Sequence, residues 1–130
     1  MTRILVADDS ATIRKMVRAS LQALGTSTFA EAASGLEAIE QLAIAPVSLL
    51  VLDLNMPDMH GIDVLRFVRQ QPSMRQLPVI VLTTRGDDAS RNIAQEAGAT
   101  AYMTKPFLPY ALADTARELL AKRTVPVENT

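Results

Sequence analysis

Short apolar runs alternate with helical periods along this chain. The first run, Arg3 to Ala7, contains Ile4-Leu5-Val6-Ala7 and predicts a buried strand. Ser10 suits the N-cap of a following helix, in which Ile13, Met16, Val17, Leu21 and Leu24 recur at helical spacing. That spacing leaves Arg14, Lys15, Arg18 and Gln22 facing outward, and Gly25 stops the helix. A short strand over about 26–31 comes next. Ser34 then caps a second helix carrying Leu36, Ile39 and Leu42 inward, and Pro46 closes the unit.

Val47 to Leu52 is the most β-like run, and it ends at Asp53. The stretch from Asn55 to Gly61 holds Pro57, Asp58 and Gly61 and predicts a turn. A third helix carries Ile62, Leu65 and Val68 and stops before Pro72. Pro78 opens the strand Val79 to Leu82, which ends at Thr83-Thr84. Asp87 or Asp88 caps a fourth helix with Ile93, Ala94 and Ala97 inward, stopped by Gly98. Thr100 to Thr104 is a fifth strand, and a last helix with Leu112, Ala116 and Leu119 inward follows Lys105-Pro106 and runs to about Lys122. Five βα units in succession predict an α/β fold. It is a doubly wound five-stranded parallel sheet with helices on both faces and right-handed crossovers. Residues 1–122 read as one domain and 123–130 as a flexible C-terminal tail.

Composition narrows the function classes. The chain has 130 residues, 48% of them hydrophobic and 21% charged, an ordinary globular balance. A net charge of −1 carries no footprint for nucleic acid or an anionic membrane. There is no Cys, so disulfides and thiolate chemistry are excluded. No apolar run approaches the roughly 20 residues of a membrane helix, and the N-terminus is too acidic for a signal peptide. The expectation is a cytoplasmic protein.

The chemistry lies at the strand ends. Asp8, Asp9, Asp53, Thr83 and Lys105 all follow directly on predicted strands. In an open parallel sheet that rim is where ligands bind. Singly, each residue fits a cap or a turn; jointly they point at one edge. Two carboxylates ~4 Å apart repel by several kcal/mol at an effective dielectric near 20, so the cluster calls for a hard divalent cation. Mg²⁺ needs only one or two carboxylates, a backbone carbonyl and a phosphate beside its waters. A carboxylate such as Asp53 can attack phosphorus and form an acyl phosphate. Lys105 is a point charge suited to a phosphoryl oxygen, and the Thr83 hydroxyl can donate to another.

Asp8-Asp9, Asp53-Leu54-Asn55-Met56-Pro57, Thr83 and Lys105-Pro106-Phe107 together resemble the receiver domain of two-component response regulators. The resemblance spans residues 1–122. It is strongest to stand-alone CheY-like chemotaxis receivers, through Asp8-Asp9-Ser10 leading into Ile13-Arg14 and through Ala101 to Phe107. The resemblance implies the strand order 2-1-3-4-5, which periodicity alone does not supply. It further implies that Asp53 takes a phosphoryl group from a sensor histidine kinase. Asp8, Asp9, Asp53 and the carbonyl of Asn55 hold Mg²⁺, while Thr83 and Lys105 bind the phosphoryl group. Tyr102 is implied as an aromatic switch that moves inward, and the Lys105–Pro106 bond as cis. A downstream protein then docks on the fourth helix, fifth strand and fifth helix, about 87–122. The module catalyses its own phosphoryl transfer and hydrolysis and turns over no separate metabolite. With no chain left for an output domain, the expected output is protein contact in trans.

Some residues depart from that family's usual pattern. His60, the only His, stands where Asp is common, and it reads as a loop residue rather than a phosphodonor. Thr84 is bulkier than the usual small residue and Arg85 is cationic, and both flank the path of a hydrolytic water. The expectation is that Thr84 slows self-dephosphorylation. Met16, Met56, Met59, Met74 and Met103 read as core and loop filling. A phosphorelay shuttle or a phosphate sink uses the same pocket and stays open as an alternative. A Mg²⁺-dependent aspartyl phosphatase fits less well, because its general acid is usually an Asp where Asn55 stands. A nucleotide or flavin carrier would want an anion-binding loop where Asp8-Asp9 stand.

Overall fold

A computed structural model describes residues 2–25 and 27–124 of the chain. Five strands, β1 (Thr2–Ala7), β2 (Ser27–Ala32), β3 (Leu49–Leu52), β4 (Val79–Thr83) and β5 (Ala101–Thr104), alternate with five helices. The helices are α1 (Ala11–Leu21), α2 (Gly35–Ile44), α3 (Gly61–Gln70), α4 (Asp88–Ala97) and α5 (Pro109–Thr124). All neighbouring strands pair parallel, in the order β2-β1-β3-β4-β5. The chain therefore reverses direction across the sheet between β1 and β3. Most of the expected tail, 125–130, lies outside the described residues.

The central strands are apolar on both faces because helices cover both. Leu5, Leu50, Leu52, Val79 and Val81 pack under α2, α3 and α4 with Ala38, Leu65 and Val68. Ile4, Val6, Leu49, Val51, Ile80 and Leu82 face α1 and α5, against Val17, Leu21, Leu112 and Ala116. Burying each such side chain contributes about 1.5–3 kcal/mol. The caps fall where side-chain chemistry places them: the hydroxyls of Ser10 and Ser34 accept from the third amide onward, and Asp87 does the same for α4. Gly98 takes a left-handed φ of 111° at the end of α4. Among the described residues no helix is long and apolar enough to cross a membrane.

Three residues expected inward point outward: Leu36 is 52% exposed, Ile93 49% and Met16 44%. In α2 and α4 small residues decide this, whereas α1 buries Val17 and Leu21 in place of Met16. In α2 the buried stripe is Gly35, Ala38 and Leu42, and in α4 it centres on Ala94. Gly35 presses so close to the next loop that a Cβ there would lie 2.5 Å from Cβ of Met59. A helix seated on its smallest side chains rolls its larger ones toward solvent. Met56, Met59, Met74 and Met103 do fill gaps against the two cores.

Candidate functional site

Register brings the site together. Ala7 pairs with Leu52, and Leu52 with Val81, so β1, β3 and β4 end side by side. Asp8 and Asp53, each one residue past a strand, are 3% and 5% exposed, and Thr83 is fully buried. The amide of Asp53 donates to the Ala7 carbonyl at 2.9 Å, extending the ladder to the nucleophile candidate itself. Carboxylate oxygens of Asp8, Asp9 and Asp53 lie within 4.8 Å of one another, with Asp9 exposed.

Lys105 enters from the β5 edge. Its Nζ lies 2.6 Å from Oδ2 of Asp8 and 3.5 Å from Oδ2 of Asp53. One ammonium thus pairs with two carboxylates of a cluster of three, and the site keeps a surplus of negative charge. Burial raises the pKa of Asp53, and the charge of Asp8 raises it further. Lys105 and a hydrogen bond from the Asn55 backbone oppose the rise. A divalent cation would reverse that balance. The donor set, three hard oxygen ligands at a water-accessible rim, fits Mg²⁺.

Hydrogen bonds and close backbone contacts tie the loops to the site. Oδ1 of Asp8 accepts from the Ser10 amide at 2.9 Å. The β3–α3 loop is latched to α2, since Oδ1 of Asp58 accepts from the Gly35 amide at 3.1 Å. Asp58 holds a left-handed φ of 65° to do so. Nδ1 of His60 accepts from the Ile62 amide at 3.2 Å, making His60 the N-cap of α3. At Gly61 a Cβ would stand 2.3 Å from the carbonyl oxygen of Asp53. Only glycine lets the start of α3 lie directly against the backbone of Asp53.

On the β4–β5 side, Oγ1 of Thr83 accepts from the Arg85 amide at 3.4 Å. The Lys105 amide donates to the Thr83 carbonyl at 2.8 Å, and the Lys105–Pro106 bond is cis as expected. Thr84 and Arg85 are exposed beside this rim. Tyr102 is half-buried, its hydroxyl donating to the Arg85 carbonyl and its ring 4.6 Å from the Arg91 guanidinium. Burial raises the pKa of its phenol, and Asp87 adds to the rise.

Asp8, Asp9, Asp53 and Lys105 thus meet in one pocket, with Thr83 at the neighbouring strand end and Asn55 in the loop above. Reading the sequence did not single out Gly61, Asp58 or Arg14 for the site. The first two sit in the turn that the breakers marked, which was the available signal. Arg14, expected outward, instead donates to the Asp8 carbonyl at 2.7 Å.

Comparison with known proteins agrees with this geometry. The family model of the response regulator receiver domain matches residues 4–117, and the chain belongs to that family. Chemotaxis protein CheY1 of Helicobacter pylori is 38% identical over 119 residues, covering 91% of this chain and 96% of that protein. The chemotaxis protein CheY homolog of Campylobacter jejuni is 35% identical, covering 91% and 92%. The structure of chemotaxis response regulator CheY4 of Vibrio cholerae matches with a TM-score of 0.84 at 34% identity, over 92% of this chain and 98% of that one. The BeF3-activated DrrB receiver domain matches with a TM-score of 0.85 at 31% identity, over 93% and 98%. The protein is a signalling receiver module, and receiver domains bind Mg²⁺ through an acidic pocket such as Asp8, Asp9 and Asp53 form here.

Proposed function

We propose that this chain, with residues 1–122 as its receiver unit, is a response regulator phosphorylated on Asp53 by a sensor histidine kinase and acting on a protein partner in chemotaxis or motility signalling. The observation that carries the reading is the placement of Asp53. It is buried flush with the end of β3, with Asp8 and Asp9 within 4.8 Å and Lys105 at 3.5 Å. The chemotaxis assignment draws on the CheY-named relatives. A cytoplasmic setting fits a kinase donor of that kind.

Asp8, Asp9, Asp53 and the Asn55 carbonyl are the residues that would hold Mg²⁺. When bound, the cation offsets the charge between an anionic nucleophile and anionic phosphoryl oxygens. A carboxylate oxygen of Asp53 attacks phosphorus, and the P–N bond to the donor imidazole breaks. Lys105, already between Asp8 and Asp53, is placed to follow the new negative charge. Thr83 turns its hydroxyl from the Arg85 amide toward a phosphoryl oxygen. That movement loosens the contact between Arg85 and Tyr102 and biases α4, β5 and α5 toward the partner-binding form. Coupling of this type is worth about 1–3 kcal/mol.

The test is incubation with Mg²⁺ and a small phosphodonor, followed by mass analysis of wild type and Asp53→Asn. The wild type gains one phosphoryl group and the variant gains none. Labelling that persists in Asp53→Asn refutes the acceptor assignment. A pull-down with and without a phosphoryl mimic then reports on the partner.

A further inference from the structure

Arg14 lies in the first half of α1 with its side chain only 16% exposed. Its Nε donates to Oε1 of Glu31 at 2.7 Å, and its Nη1 donates to the Asp8 carbonyl at 2.7 Å. Arg18, one turn on, donates to Oε2 of the same Glu31 at 2.6 Å, with its guanidinium 5.4 Å from the Phe29 ring. Glu31 stands on β2 opposite Val6, so its carboxylate ties the edge strand to α1. Hydrogen bonds from Arg14 above all, and from Arg18, hold its carboxyl below the usual range despite opposing burial.

The carbonyl that Arg14 grips belongs to the peptide joining Asp8 to Asp9. Asp8 is also held by its amide, which donates to Ala32 at 3.0 Å, and by its carboxylate, which takes Ser10 and Lys105. Asp9 is the exposed member of the cluster, and the orientation of that peptide sets where its carboxylate points. The same guanidinium stands one peptide unit from two carboxylates. A cation in that place rivals any metal ion unless another anion holds it.

We propose that Arg14 is a positioning residue for the acidic pocket, and that Glu31 is the counter-charge that keeps its guanidinium on the Asp8 backbone and off the carboxylates. This rests on the reading that the pocket takes a divalent cation. Without Glu31, Arg18 stays against Phe29 while Arg14 swings to Asp9 and competes with the ion.

The experiment measures the Mg²⁺ dissociation constant by calorimetric titration for wild type, Glu31→Gln, Arg14→Gln and the double variant. Urea unfolding of each is followed alongside, so that lost folding is not read as lost affinity. Glu31→Gln is expected to weaken Mg²⁺ binding about tenfold, the scale of losing a group that orients a metal ligand. In the Arg14→Gln background the same change is expected to have no effect. Unaltered affinity in folded Glu31→Gln overturns the proposal. Equal weakening in both backgrounds also overturns it, because Glu31 then acts only through its own charge. A wild type that binds no Mg²⁺ overturns the reading of the pocket itself, and this inference with it.

Discussion

The two rims of the sheet use cations in opposite ways. At the amino rim, helices end and present carbonyls. Arg3 donates to the Ala45 carbonyl at 2.9 Å and to the Gln41 carbonyl at 3.2 Å, closing the end of α2. Arg69 donates to the Gly98 carbonyl at 2.8 Å and to the Met74 and Arg75 carbonyls, tying α3 to the end of α4. These arginines meet neutral acceptors and the negative ends of helix dipoles, so charge and geometry are satisfied there. At the carboxyl rim Lys105 meets two carboxylates, those of Asp8 and Asp53, and Asp9 adds a third within 4.8 Å of them. That rim is left anionic and can be completed only by something added. Stability lives at the first rim and responsiveness at the second.

Gly61→Ala should have the largest effect, because its Cβ would collide with Asp53 backbone that neither β3 nor α3 can yield. A loss of about 3 kcal/mol in urea unfolding is expected, together with slowed phosphorylation. Wild-type phosphorylation in a folded Gly61→Ala would show that the backbone contact does not hold Asp53 in place. Arg69→Ala attacks the other rim. It removes several charge-assisted hydrogen bonds and should cost about 2–3 kcal/mol while leaving the phosphorylation rate of folded protein intact. A changed rate would mean that the rims are coupled.

Asp53→Asn should instead stabilise the Mg²⁺-free protein at neutral pH, because it removes a buried charge that burial and Asp8 disfavour. The sign follows from the raised pKa of Asp53. Between the ordinary carboxylate value and the raised one, the folded chain holds a proton that the unfolded chain has released. Wild-type stability therefore falls as pH rises through that window, and Asp53→Asn should flatten the fall. Urea midpoints across a pH series check this; an undiminished slope in the variant assigns the effect to another group. The smallest effect is expected for Thr84→Ala, which should shorten the phosphoryl lifetime about threefold by opening the path of water. An unchanged decay rate removes that role for Thr84.

Much of this was legible in the order of residues. Ser10, Ser34 and Asp87 announce helix starts, because a cap needs only a side chain and amides within one turn. Asp53 after Leu49 to Leu52 announces a carboxylate at a strand end, because a wholly apolar run of that length must be buried. Periodicity did not supply the strand order, which came from family resemblance. It also misplaced Leu36 and Ile93, because which face of a helix is buried depends on how closely a small residue lets it approach its neighbour.

The sequence by itself determined the alternation of five strands and five helices and the kind of chemistry waiting at the strand ends. Those properties arise from contacts within a few residues. Only the tertiary structure decided that Lys105 closes on Asp8 across 97 positions of chain, that Gly61 lies against the Asp53 carbonyl, and that Arg14 turns in toward Glu31. Such pairings depend on which strands become neighbours and in what register, and local propensity carries no term for either.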